Sequence, residues 1–68
     1  MNADEIVDIC LGSDATILQA MERMNERRSG IVLVVDGERK LVGTVTDGDV
    51  RRALLDQVKN DAPVAELV

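Results

Sequence analysis

Five apolar residues stand in a row at 31–35, Ile31-Val32-Leu33-Val34-Val35, with no polar interruption. A short β-branched run of this kind predicts a strand covered on both faces. Asp36-Gly37-Glu38-Arg39-Lys40 follows as a hairpin-length loop with a turn dipeptide, and residues 41–46 return as the partner strand. Gly43 breaks that strand's side-chain row and permits close approach of a backbone or a ligand. Upstream, residues 16–28 carry helical spacing. Ile17, Ala20, Met21 and Met24 form an apolar stripe, and Gln19, Glu22, Arg23, Asn25 and Glu26 take the wet side. Thr16 and Gln19 make a capping-box pair, Arg27 and Arg28 suit the C-terminal end, and Gly30 reads as the stop.

After residue 46 the pattern turns helical again, with Val50, Ala53 and Leu54 on one face to about residue 55. Residues 2–11 are mixed and read as either a short strand or a helical turn leading into an edge strand. Gly12-Ser13-Asp14-Ala15 is a turn, residues 57–61 form a polar linker, and Pro63 suits the first turn of a helical segment over 64–68. The order is β-α-β-β-α, an α/β (α+β) unit with a small sheet and two helices on one side. One copy has nothing left to cover the second face of the 31–35 strand, which predicts a dimer with two-fold symmetry.

At 68 residues the chain holds one domain, and chains of this size are marginally stable alone. It has no Phe, Tyr, Trp or His, so the core is aliphatic and histidine acid/base chemistry is absent. The net charge of −5 and the lack of aromatics argue against nucleic-acid binding. No apolar run approaches the roughly 20 residues of a membrane span, and no signal-peptide pattern opens the chain. Cys10 is the only cysteine, which fits a reducing, cytoplasmic setting. It has no partner to lower its pKa, so it reads as a buried or edge thiol rather than a nucleophile.

The candidate chemistry gathers at Thr46-Asp47-Gly48-Asp49. A strand there delivers a hydroxyl and two carboxylates to the mouth of a helix, whose first N–H groups seek acceptors. The bland reading is a capping box of Thr46 with Asp49; the sharper one is a small-ligand site. Asp47 reads as solvent-facing. Paired catalytic carboxylates or a divalent-cation site lack supporting ligands elsewhere, so no catalytic or metal residue is assigned and the chain does not read as an enzyme. Met21 and Met24 read as core rather than as an adaptable binding surface.

Three blocks in order, 14–21, 29–36 and 41–55, resemble one CBS domain, the cystathionine-β-synthase-type repeat, over about residues 9–55. The Thr-Asp-Gly-Asp-Val-Arg-Arg form resembles repeats attached to sugar nucleotidyltransferases and sugar-phosphate isomerases. Residues 61–68 resemble the lead-in to a second repeat, so residues 1–60 read as the first half of a tandem Bateman module. The resemblance implies binding of AMP, ATP or another adenosyl compound between paired repeats, with no cofactor required. It implies that Gly43, Thr46 and Asp49 fit the family's Gly-hydrophobic-x-Thr/Ser-x-x-Asp pattern, with Asp49 on the ribose hydroxyls and Thr46 on ribose or phosphate. It places Ala15, Ser29 and Ile31 around the base, with backbone groups making the hydrogen bonds. Leu33 stands where many ligand-binding members have proline, and Ala15 where many have a hydroxyl. Arg51 and Arg52 can reach a phosphate, but such a pair is more often only solvated. Two functions follow: a regulatory module that binds an adenine nucleotide and modulates a fused or partner enzyme, or a ligand-free module that pairs with a second repeat or copy to set assembly.

Overall fold

In the computed structural model, which describes residues 3–68, the central strand is β2 (Ile31–Val35). It pairs in parallel with β1 (Cys10–Gly12) and antiparallel with β3 (Leu41–Thr46), giving the order β1-β2-β3. The helices are α1 (Ala3–Asp8), α2 (Ile17–Arg27) and α3 (Asp47–Leu55), and a 3₁₀ turn spans Val64–Leu67. The opening segment is thus a helix followed by an edge strand. Asn2, where the sequence reading began it, lies outside the described residues.

Alternation decides the layers. Val32 and Val34 are fully buried on one face of β2, with Leu11 from β1 and Val45 from β3 beside them. Ile17, Ala20 and Met24 of α2, Val50 of α3 and Val64 of the final turn close over that face. On the other face Ile31, Leu33 and Val35 stay half-buried, so the apolar run is two-sided but the described residues fill only one side completely.

Several local expectations shift. Helix α2 ends at Arg28 rather than Gly30: Arg28 adopts φ 52° and its N–H donates to the Met24 carbonyl. The left-handed cap closes the helix early, and Gly30, at φ 66°, turns the chain into β2. The hairpin is held by Asp36 rather than by its glycine. The Asp36 carboxylate accepts from the N–H groups of Glu38 and Lys40 at 2.8 and 2.9 Å, and the positive φ falls on Arg39. On α3, Val50 and Ala53 face the core while Leu54 is 41% exposed. The small sheet leaves room for only a narrow stripe of that helix.

The largest departure concerns residues 57–68, which pack back onto the repeat. The Leu18 and Ile17 N–H groups donate to the carbonyls of Asn60 and Ala62 at 2.8 and 2.9 Å, and Val64 N–H donates to the Ala15 carbonyl at 2.7 Å. Thr16 and Pro63 form a β-bridge. Val64 is fully buried, and Val68 lies so close over Gly43 that a Cβ there would collide with it. The segment therefore serves the core as a strap. Truncating Val64→Ala removes two methyls from a filled position and should lower unfolding stability by about 2 kcal/mol, read from the urea midpoint. A change below about 0.5 kcal/mol would show that the strap does not pack in solution.

Candidate functional site

The β3–α3 junction is built by the end of one strand and the start of one helix. Thr46 is extended, at φ −103° and ψ 167°, and caps α3. Its hydroxyl accepts from Asp49 N–H at 3.2 Å. In return Asp49 Oδ2 accepts from the Thr46 N–H at 2.8 Å and from the Thr46 hydroxyl at 3.0 Å. This is the reciprocal capping box expected from the spacing. Asp49 Oδ1 accepts from Arg52 Nη2 at 2.7 Å, an i,i+3 pair on one helix face. The Asp47 N–H is held by the Gly30 carbonyl at 3.0 Å, which ties the junction to the entry of β2. The Asp47 carboxylate is exposed and pairs with Arg51 at 2.8 Å.

These contacts hold the Asp49 carboxyl below its ordinary range. The Thr46 N–H contributes most, then the Thr46 hydroxyl, while partial burial opposes them and Arg52 adds a smaller stabilisation of the anion. At neutral pH the group is an ionised acceptor whose side chain is 29% exposed.

The six candidate residues divide between two ends of the sheet. Ile31 is the register partner of Thr46, and Ser29, whose hydroxyl donates to the Ile31 carbonyl at 2.7 Å, sits beside it. Ser29, Ile31, Thr46 and Asp49 therefore gather at one end. Gly43 pairs with Val34, three positions away, or about 10 Å along the strand. Ala15 comes three residues after Gly12, which pairs with Val35, so it follows the end of β1 that is remote from Ile31. The Ala15 N–H donates to Gly12 at 3.0 Å and its carbonyl accepts from Val64, so its backbone polar groups are already committed. Gly43 is covered by Val68. Arg52 is largely solvated, as its place in an arginine pair suggests, but it also pairs with Asp49, a contact the three-residue spacing signals.

The lowered pKa fixes the sign of an acid effect. The stabilisation from Asp49 is present above the ordinary carboxylate range, near pH 4, and fades as pH falls through the lower folded value. Asp49→Asn should therefore reduce stability at pH 7 by at most about 1 kcal/mol, with the gap to the unsubstituted chain closing by about pH 2. Urea unfolding across that range checks this, and a gap that persists in acid would assign the effect to shape rather than charge.

Residues 3–56 match the family model of the CBS domain. An uncharacterized protein of Rickettsia prowazekii (strain Madrid E) is 42% identical over 45 residues, covering 66% of this chain and 14% of that protein. An uncharacterized protein of Helicobacter pylori (strain J99) is 50% identical over 36 residues, covering 53% and 11% respectively. The chain thus spans only 11–14% of the length of these relatives. Among solved structures, the CBS domain protein PAE2072 from Pyrobaculum aerophilum, complexed with AMP, superposes with a TM-score of 0.81 at 21% identity, over 87% of this chain and 47% of that one. Hypoxic Response Protein I, with two coordinated zinc ions, gives 0.81 at 28% identity, over 87% and 51%. The family match runs through every helix and strand described above from α1 to the end of α3, and the chain belongs to the CBS domain family.

Proposed function

We propose that this chain is one repeat of a regulatory module that binds an adenosine nucleotide where repeats pair, and that binding modulates a fused or partner enzyme. The observation that carries this is the ionised, partly exposed Asp49 carboxylate fixed by Thr46 at the mouth of α3, next to Ser29 and Ile31. An acceptor-only group in a rigid setting suits a vicinal diol such as ribose. The AMP held by the Pyrobaculum aerophilum relative supports the ligand class. AMP, ATP and S-adenosylmethionine are the ligands to try. Gly43 and Ala15 would line the farther reach of the same site. The enzyme would be of the sugar nucleotidyltransferase or sugar-phosphate isomerase kind, in a cytoplasmic setting. Residues 1–60 would form the repeat, with 61–68 both packing onto it as the strap and leading toward a second. Ligand would bind the paired state better than the open one and shift that equilibrium.

One observation favours a second reading, a ligand-free pairing module. Both Asp49 oxygens and the Ala15 backbone already have partners, while Ile31, Leu33 and Val35 leave an apolar sheet face half-covered. Calorimetry with AMP, ATP and S-adenosylmethionine, run beside sedimentation, separates the two. The sensor reading expects binding by at least one of them, weakened about thirtyfold or more by Thr46→Ala with Asp49→Ala, in a dimer that persists. A dimer without binding heat leaves the assembly reading, and a stable monomer at micromolar concentration overturns homotypic pairing.

A further inference from the structure

We propose that Arg52 gates the candidate site: its guanidinium occupies the Asp49 oxygen that a ribose diol needs, so the ligand enters as this ion pair opens. The inference rests on the adenosine reading above and adds a regulatory element to the same site. Asp49 has two oxygens, and both are engaged. Oδ2 serves the Thr46 N–H and hydroxyl, contacts that fix the first turn of α3. Oδ1 serves Arg52 at 2.7 Å. A diol donates two hydrogens and needs two acceptor positions on the carboxylate. The two engagements differ in how easily they are released. The Thr46 contacts belong to a cap whose loss would fray the helix. The Arg52 side chain is 74% exposed on a long flexible stem, so it gives way first.

The arrangement is specific to one of the two adjacent arginines. Arg51 pairs with Asp47 at 2.8 Å, and it is Arg52 that forms the ion pair with Asp49. The gate is also weak by construction. An exposed ion pair of this kind shifts an equilibrium by about two- to fivefold and is screened by salt. It therefore sets a threshold for the ligand rather than closing the site. Once displaced, the guanidinium is free to face an anionic group on the ligand, and for that reason an uncharged nucleoside isolates the gating effect.

The test is a calorimetric titration of the purified protein with adenosine at about 20 mM and about 500 mM salt, for the unsubstituted chain, Arg52→Ala, Arg52→Lys and Asp49→Ala. Arg52→Ala should bind adenosine about two- to fivefold more tightly at low salt. High salt should tighten binding by the unsubstituted chain and leave Arg52→Ala unchanged. Arg52→Lys, which keeps the cation, should stay close to the unsubstituted chain. Arg52→Ala is not expected to endanger the fold, because the side chain is exposed. Adenosine binding that Asp49→Ala abolishes but that is indifferent to Arg52→Ala and to salt overturns the gate alone. Absence of adenosine binding in every variant, including the one with Oδ1 freed, overturns the adenosine reading and the gate with it.

Discussion

The inner face of β2 is the constraint on which the rest of the structure depends. Val32 and Val34 present two small branched side chains there, both fully buried, and the core cluster of Leu11, Ile17, Ala20, Met24, Val45, Val50 and Val64 gathers around them. With no aromatic side chain available, the core must be filled by many small aliphatic contacts. A core of that kind has little redundancy, and a chain of this length buries a limited share of its surface. This is why a segment that reads as linker is recruited. Val64 completes the layer over β2, and the carbonyls of Asn60 and Ala62 satisfy N–H groups at the start of α2 that the helix itself cannot.

The same device appears at both ends of the sheet with opposite outcomes. Thr16 with Gln19 and Thr46 with Asp49 are both reciprocal capping boxes following an extended residue. At the first, residues 60–64 lie across the mouth of the helix and take its N–H groups and the Ala15 carbonyl. At the second, the Gly30 carbonyl takes one N–H and the capping acid is charged and partly exposed. Sequence spacing alone makes these junctions look alike. The difference arises from where the strap lands, and it places the available chemistry at Asp49 rather than at Ala15.

The features that were legible in the sequence are those with local causes. The β2 and β3 runs, the apolar stripe of α2, both caps and the β-α-β-β-α order follow from periodicity and from side chains three or four residues apart. What escaped was nonlocal or depended on a choice among equivalent residues. Nothing in 57–68 announces that its carbonyls will meet Ile17 and Leu18. The left-handed residue that closes α2 is Arg28 although Gly30 offers the lower conformational penalty, and the N–H groups of both Arg28 and Ser29 reach the Met24 carbonyl. For the candidate site, the Thr46–Asp49 pairing was readable, while the distance separating Ala15 and Gly43 from it required the strand register.

That register would also join the proposed ligand binding to the proposed pairing. Ile31, Leu33 and Val35 share the half-covered face of the sheet with Thr44 and Thr46, since Leu33 pairs with Thr44 and Ile31 with Thr46. A partner that covered this face would rest on Ile31, and a ligand held by Thr46 and Asp49 would rest on it too. Two such occupants of one half-buried residue would be coupled to the extent that one changes what the other must order. If the partner orders the end of β2, it reduces what the ligand must order, and linkage requires the ligand to favour the partner to the same degree. A repeat with a small aliphatic core thus needs no large internal rearrangement to couple the two events. Such a coupling would lie in the strand end where the sheet face and the candidate site meet.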